Sequence, residues 1–345
     1  MRARALLVGL VLAFLATAPE ASMITGARRS SDGTFLNPAG ELPFAPVSVT
    51  LPFFLRRAAT TFTGRSGWPE VVPNDGAFLR YNARHSVPTV TWIGHATVLV
   101  QMDGVTFLTD PIWSERASPF EFAGPKRAQP PGVALADLPP IDFVIVSHNH
   151  YDHLDVATLR ALAERDAETR FVVPLANADT LREAGITNPI ELDWGASVEI
   201  DGVTIVCLPA QHWSGRGLTD RLQALWASYA VLGEERRFYF GGDTGYFAGF
   251  AEIGERYGPF DMAALPIGAY APLEMMHYWH MTPEEALQAS RDLRARRMLP
   301  VHYGTFDLSD EPPDEPPRRL RQAASEAAMD PQSLYVLRVG ETREF

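Results

Sequence analysis

Three histidines and one aspartate lie within six consecutive residues near the middle of this chain. The segment before them, 141–147, is apolar and β-branched, which is typical of a buried strand, and 154–165 has the pattern of an amphipathic helix. The cluster is therefore expected at the carboxyl end of a strand, where open α/β sheets place their chemistry. Imidazoles beside a carboxylate favour a metal, and the alternative is an exposed polar turn. The spacing assigns these side chains to two ions, His148 and His150 to one, Asp152 and His153 to the other.

Two ions need more ligands, and three later segments supply them. Each is a short apolar strand that is followed closely by a histidine or an aspartate and by turn residues. A single histidine after a strand is more often a core residue, but this order after the central turn predicts a two-metal hydrolytic site. The three pairs are 203–208 with His212, 238–240 with Asp243, and 298–301 with His302.

The motif order resembles the metallo-β-lactamase fold superfamily, in which such a turn precedes a later His, an Asp and a last His. From about Phe35 onward the chain is also similar to the N-acylphosphatidylethanolamine-hydrolysing phospholipase D family. The resemblance implies an α/β fold of the four-layer αββα sandwich type. It is carried by 92–97 (WIGHAT), 108–112 (LTDPI), 124–127 (GPKR), 138–142 (LPPID), 241–246 (GGDTGY) and 266–270 (PIGAY).

The resemblance implies two zinc ions, with iron or manganese as alternatives. Two metals at such a site stand about 3.5–4 Å apart and lower the pKa of bound water toward about 7. Asp243 is expected to bridge the ions. The remaining assignments are His148, His150 and His212 to one ion, and Asp152, His153 and His302 to the other.

His280 lies in an apolar and aromatic stretch, 275–281, just before a predicted helix start. The resemblance implies that His280 contacts the amide and phosphate region of the substrate and takes part in catalysis with Asp152 and Asp243. Trp279 departs from the mammalian pattern of the family, which has a glutamine at that position.

Four further residues receive roles near the site. Asp110 follows an apolar strand and is predicted to hold a ligand imidazole, with capping of that strand as the alternative. Tyr151 and Tyr270 are candidates to orient the substrate. His95 is interpreted as structural, because it lies within an alternating apolar segment, 90–100, that continues into a hairpin.

A single metallo-hydrolase domain is predicted over 19–345, because the chain shows no Ser/Gly linker, charge block or repeat. The Pro-rich stretch 311–317 is interpreted as a surface loop, and 334–339 as a final strand. Besides 154–165, helices are predicted over 179–184, 250–257, 283–297 and 318–327.

The first residues have the pattern of a secretory signal peptide. A short basic start precedes an apolar run and an A-x-A-like cleavage site, so 1–18 is expected to be removed on export to the periplasm or the medium. An uncleaved membrane anchor is the alternative. The single cysteine, Cys207, lies in a predicted strand and is expected to be a small core residue.

A formal charge of −12 weighs against nucleic acid as a partner, because binding to phosphate backbones relies on accumulated Lys and Arg. Segment 51–57 combines apolar side chains with two arginines, which favours either peripheral contact with a lipid surface or a core segment. The predicted activity is phospholipase D-type hydrolysis of a phospholipid phosphodiester, which leaves phosphatidic acid. A lactonase or other esterase, and a non-catalytic lipid- or metal-binding protein, are the alternatives.

Overall fold

Two β-sheets and their flanking helices appear in the computed structural model, which describes residues 22–345 and, over 58–63, the backbone alone. The predicted signal peptide, 1–18, lies outside the described residues. The first sheet contains β1 (Thr89–Gly94), β2 (Thr97–Met102), β3 (Val105–Thr109), β4 (Phe143–Ile145), β5 (Arg170–Pro174), β6 (Ile190–Leu192) and β13 (Thr342–Glu344). The second contains β7 (Ser197–Ile200), β8 (Val203–Leu208), β9 (Ser228–Leu232), β10 (Arg237–Phe240), β11 (Met262–Pro266) and β12 (Met298–Val301). The α-helices are α1 (Val47–Thr63), α2 (Ala77–Asn82), α3 (Val156–Arg165), α4 (Ala178–Glu183), α5 (Gly249–Tyr257), α6 (Leu273–Met276), α7 (Pro283–Asp292) and α8 (Glu315–Glu326).

Strand direction changes part-way across each sheet. The first sheet has the order β13-β1-β2-β3-β4-β5-β6, antiparallel as far as β3 and parallel from β3 to β6. The second has the order β12-β11-β10-β9-β8-β7, parallel from β12 to β10 and antiparallel beyond. Parallel neighbours need crossover connections, which α3, α4, α5 and α7 supply for every parallel pair except β3 and β4, which the long segment 110–142 connects. The carboxyl ends of the parallel strands therefore point the same way within each sheet.

The side chains of the first sheet alternate between two hydrophobic cores. On β2, Val98 and Val100 belong to the core between the sheets, whereas Leu99 belongs to the core under α3 and α4. In the central core Phe107 of β3 meets Phe238 of β10, with ring centroids 5.5 Å apart. Helices α5 and α7 cover the other face of the second sheet. The layers are thus αββα, and the predicted fold class is confirmed.

The structure has a helix at each predicted position, but the observed helices begin or end at different residues from those predicted. The segment predicted as helix 283–297 ends at Asp292, because the chain turns at Arg294, whose φ is 56°. Helix α8 begins at Glu315 rather than at 318, with prolines in its first turn, where a missing N–H costs no helical hydrogen bond. The loop predicted over 311–317 is therefore shorter than expected.

One strand prediction is wrong, and the alternating segment 90–100 divides into two strands. Segment 334–339 forms no strand, and β13 at Thr342–Glu344 pairs with β1 instead. Within segment 90–100, β1 ends at Gly94 and β2 begins at Thr97. The turn between them passes through His95, whose φ of 52° lies in the left-handed region that few non-glycine residues adopt.

Candidate metal centre

The predicted ligand side chains converge where the carboxyl ends of several strands meet. Two groups in which these side chains take part matter most here, and within each one ligand-type atom per residue lies within 4.8 Å of the others. We call His148, His150 and His212 the three-histidine group. We call His95, Asp152, His153 and His302 the carboxylate group.

Asp243 faces both groups through the same oxygen, Oδ2. In the three-histidine group it lies 3.9 Å from His148 Nε2 and 3.7 Å from His212 Nε2. In the carboxylate group it lies 3.2 Å from His153 Nε2 and 3.1 Å from His302 Nε2. This is the position that a bridging carboxylate requires.

The three-histidine group is tightly spaced, and the loop after β10 closely approaches the turn after β4 beside it. His150 Nδ1 lies 2.8 Å from His148 Nε2 and 3.4 Å from His212 Nε2. Gly242, directly before Asp243, has a φ of 57°, and a Cβ there would stand 2.5 Å from the Ser147 Cβ. Only glycine therefore lets the loop after β10 reach the turn after β4.

The carboxylate group includes a histidine that the sequence interpretation placed outside the site. Asp152 Oδ2 lies 2.9 Å from His95 Nε2, 3.3 Å from His153 Nε2 and 3.4 Å from His302 Nε2. This contact places His95 beside the predicted ligands, whereas the sequence interpretation assigned it only a structural role. Its backbone is held from the far end of the chain, since its N–H donates to Thr305 Oγ1 and its carbonyl accepts from the His302 N–H.

The histidines of the two groups differ in what contacts their second ring nitrogens. His153 Nδ1 lies 2.6 Å from Asp110 Oδ2, as the sequence predicts for Asp110. Asp110 also accepts hydrogen bonds from the N–H and the hydroxyl of Ser147, at 2.6 Å each. The partners in the three-histidine group are neutral, namely Ser147 Oγ for His148 Nδ1 and the Trp279 carbonyl for His212 Nδ1, both at 2.9 Å.

The chain that builds this site matches a known protein family. Residues 106–303 match the family described as beta-lactamase superfamily domain, which covers more than half of the chain. This chain belongs to the metallo-β-lactamase superfamily. The matched stretch begins in β3 and ends just after His302, so it includes every predicted ligand but not His95.

Several relatives within the superfamily are named as hydrolases. The chain is 47% identical over 228 residues to N-acyl-phosphatidylethanolamine-hydrolyzing phospholipase D 1 of Caenorhabditis elegans, covering 63% of this chain and 64% of that relative. It is 32% identical over 257 residues to a metal-dependent hydrolase of Methanopyrus kandleri, covering 74% and 99%. A solved structure of the metallo hydrolase Igni18 from Ignicoccus hospitalis aligns with a TM-score of 0.56 and 26% identity, covering 75% of this chain and 98% of that one. The chain belongs among the superfamily's metal-dependent hydrolases and spans less than two thirds of the nematode relative.

Burial and mutual contact shift the pKa values in this superfamily site in opposite directions. Burial lowers the pKa of His148 and His212 well below the usual range. Burial alone would raise the pKa of Asp243, but the imidazoles of His153 and His302 outweigh it and hold that pKa well below its usual range. The pKa of His302 shifts the other way, to about 9, because Asp243 and Asp152 outweigh its burial. The carboxylates thus favour positive charge between them, which a metal cation also supplies.

The residues present fit a two-metal centre. Buried polar atoms almost always have a hydrogen-bond partner, yet His153 Nε2, His302 Nε2 and Asp243 Oδ1 have none among the described residues. Imidazole and carboxylate donors suit zinc, iron or manganese. The one thiol, Cys207, is buried in the core between the sheets, as predicted.

His280 adjoins the centre, and its predicted contact with the substrate stays a prediction. Its Nδ1 is buried, lacks a hydrogen-bond partner among the described residues and lies 3.9 Å from Asp243 Oδ2. Its ring stacks on His302 with a centroid separation of 5.3 Å. The imidazole is therefore available to a molecule that enters the site.

The two tyrosines predicted to orient the substrate direct their hydroxyls elsewhere. Tyr151 donates to the Arg216 carbonyl at 2.9 Å, and Tyr270 donates to Glu315 Oε1 at 2.7 Å. Burial and the hydrogen bond to Glu315 raise the pKa of Tyr270 above its usual range. A role of these hydroxyls in substrate binding stays a prediction.

Proposed function

We propose that this hydrolase cleaves the phosphodiester of N-acylphosphatidylethanolamine-type glycerophospholipids in phospholipase D fashion, releasing the headgroup alcohol and phosphatidic acid. The observation that carries the proposal is the placement of Asp243 Oδ2 between two groups of ligand-type atoms. Such a pair of adjacent sites is the arrangement that two-metal phosphodiesterases use. The nematode relative, at 47% identity, supports the lipid substrate.

We assign one zinc ion to the three-histidine group and the other to Asp152, His153 and His302, with Asp243 between them. Bound ions supply Lewis acidity and a coordinated water with a lowered pKa. Asp110 orients His153 from behind, and His95 orients Asp152. His280 presents its free Nδ1 to the phosphate region of the substrate, where it can donate or accept a hydrogen bond.

The test is hydrolysis of N-acylphosphatidylethanolamine by the purified, zinc-loaded protein, with lipid products identified by mass spectrometry. We expect phosphatidic acid and N-acylethanolamine, loss of both products after chelation with dipicolinate, and their return when zinc is added. Loaded protein that opens acyl lactones but leaves the phospholipid intact would replace the proposal with the lactonase alternative. Protein inert toward phosphodiesters, esters and lactones would favour a binding role.

The proposal includes peripheral contact between α1 and a lipid surface. Val47, Leu51, Phe54 and Leu55 follow helical spacing along one face of α1, and each is more than half exposed. The two arginines of segment 51–57 bind protein instead, Arg56 to Asp310, and Arg57 to the carbonyls of Asp307 and Ser309. Helix α1 packs on α6, which leads directly to His280. No helix within residues 22–345 has the length and apolar character needed to span a membrane.

Replacing Leu51 and Phe54 together with serine tests this contact, because the change removes exposed apolar area and leaves the buried Phe53 in place. We expect weaker co-sedimentation with phosphatidylcholine vesicles and unchanged hydrolysis of a detergent-dispersed substrate. In the matched control, the exposed aromatic residues Phe78 and Tyr81 of α2 are likewise replaced with serine. Equal vesicle binding by wild type and both variants would contradict contact through α1.

We further propose that the protein is exported, with 1–18 as its signal peptide. The support is the basic start, apolar run and A-x-A-like site of that segment. Mass spectrometry of the mature amino terminus tests this proposal. A periplasmic or secreted protein that begins near residue 19 is expected, whereas an intact terminus in the membrane fraction would favour an uncleaved anchor.

A further inference from the structure

Three aromatic rings form a platform beside the three-histidine group. Phe44 stacks on Trp279 at 4.8 Å and 24°, and meets Trp213 edge-on at 5.8 Å. Trp213 packs edge-on against the His150 ring at 4.2 Å, and the Trp279 carbonyl contacts His212 Nδ1 at 2.9 Å. We call Phe44, Trp213 and Trp279 the aromatic platform, and its position relative to the metal ligands is fixed by these contacts.

An exposed arginine lies on this platform without a polar partner. The Arg221 guanidinium carbon stands 4.3 Å from the Phe44 ring centroid and 5.5 Å from that of Trp213. Among the residues whose side chains are described, none forms an ion pair or hydrogen bond with the Arg221 side chain. The neighbouring carboxylate of Asp220 is engaged by the backbone N–H groups of Arg216 and Gly217, at 2.9 and 2.8 Å. The guanidinium therefore keeps its N–H donors free.

Arg216, in the same loop, also contacts an aromatic ring but has a structural role. Arg216 lies over the Tyr151 ring at 4.0 Å and donates to the carbonyls of Asn149 and Leu154 at 2.8 Å each. It thereby braces the turn that carries the central histidines. Arg221 makes the ring contact but not the hydrogen bonds, even though acidic residues outnumber basic ones by 42 to 30.

These contacts indicate a ligand for Arg221. A guanidinium held against rings presents a planar fork that matches a carboxylate or a phosphate, and ring contact limits the side-chain entropy lost on binding. Trp279 supplies the ring of the platform on which Phe44 stacks. We propose that Arg221, on the aromatic platform, binds an oxyanion of the substrate beside the metal centre. This inference rests on the proposed phosphodiesterase function.

The oxyanion has two possible sources, the scissile phosphodiester or a carboxylate on the headgroup. Kinetics of Arg221→Gln with N-acylphosphatidylserine, which has the carboxylate, and N-acylphosphatidylethanolamine, which lacks it, distinguish them. We expect KM to rise about tenfold, with kcat and metal content preserved. A rise confined to the serine lipid identifies the carboxylate, and an equal rise for both lipids identifies the phosphodiester. Unchanged KM for both lipids would overturn the proposal.

The matched control is Arg318→Gln, which removes an exposed arginine from α8 and should leave both KM values unchanged. Arg221→Lys keeps the charge without the planar fork, so we expect an intermediate KM.

If the wild-type protein cleaves neither lipid, the proposed function is contradicted but the role of Arg221 is not. A binding experiment then tests that role separately. The probe is O-phosphoserine, titrated into zinc-loaded protein while the fluorescence of tryptophan is followed. We expect saturable binding in wild type and Arg318→Gln, and about tenfold weaker binding in Arg221→Gln. Equal affinity in all three proteins, or no binding to wild type, would overturn the role of Arg221.

Discussion

The two halves of the candidate metal centre share Asp243 but differ in the charge that surrounds them. The three-histidine group has only imidazole donors of its own, and its outer contacts are a serine hydroxyl and a backbone carbonyl. The carboxylate group has Asp152 within it and Asp110 behind His153. Negative charge therefore concentrates on one side of Asp243.

This asymmetry in charge predicts that the two groups bind the same kind of cation with different affinities. A buried carboxylate interacts with a cation more strongly than a neutral imidazole does, because the surroundings screen little. We expect the ion in the carboxylate group to be bound more tightly and the ion in the three-histidine group to leave first when a chelator is added. Four substitutions should change this difference in affinity. Their expected effects decrease in the order Asp243→Asn, Asp110→Asn, His95→Ala and Ser147→Ala.

Asp243→Asn should cause the largest loss, because it removes the negative charge that both halves share. We expect both metal occupancies to fall and kcat/KM to drop by more than the roughly 100-fold typical of an outer partner. Elemental analysis alongside kinetics measures this. Asp201→Asn, in the exposed turn between β7 and β8, is the control, and retention of two ions by Asp243→Asn would refute the bridging assignment.

Asp110→Asn should weaken one half selectively. The amide removes the charge opposite His153 Nδ1, and loss of such a partner lowers metal affinity by about 10–100-fold. We expect chains that keep roughly one ion, in the three-histidine group. Cobalt substitution followed by absorption spectroscopy distinguishes the two environments, and loss of both ions in parallel would contradict a selective effect.

His95→Ala should have a smaller effect on the same half, because it removes a neighbour of Asp152 rather than a charge. We expect metal affinity to fall by about tenfold. His95→Gln retains an N–H donor and should recover part of the loss, provided circular dichroism shows that the fold is kept. Equal affinity of both variants and wild type would leave His95 with only the structural role that the sequence suggested.

Ser147→Ala should have the smallest effect and reach both halves, because its hydroxyl contacts His148 and also donates to Asp110. Its hydroxyl contacts His148 Nδ1 at 2.9 Å, and a hydrogen bond between neutral groups contributes about 1 kcal/mol. Because the same hydroxyl also donates to Asp110, Asp110→Asn combined with Ser147→Ala separates the two contacts in a double-mutant cycle. A loss in Ser147→Ala larger than in Asp110→Asn would reverse the ranking of the two halves.

The strand ends that carry the seven predicted ligands could be located from local pattern. Each ligand follows a short apolar strand, and such runs are visible in the sequence. The predictions fail where structure depends on distant contacts. His95 lies in an apolar segment with no turn signal beyond Gly94, and its left-handed backbone is held by Thr305 and His302, some 200 residues away.

The aromatic platform, and the choice between the two roles predicted for segment 51–57, were beyond sequence reasoning for the same reason. Phe44 reaches the site only because the segment before α1 returns to the loop after β8. Helix α1 keeps an exposed apolar stripe and fixes its arginines to residues 307–310, so its pattern fits neither a core helix nor a free basic surface. No local rule assigns such a helix to a partner.

Asp243 offers a single oxygen to both halves, which links their occupancies. A cation in the carboxylate group neutralises part of the charge that a second cation needs, and linkage requires each to weaken the other by the same factor. The concentration of available cation then sets the fractions of molecules that hold no ion, one ion or two ions. When cation is scarce we expect most molecules to hold one ion, and because each ion weakens the other the second site should fill only gradually as the cation concentration rises.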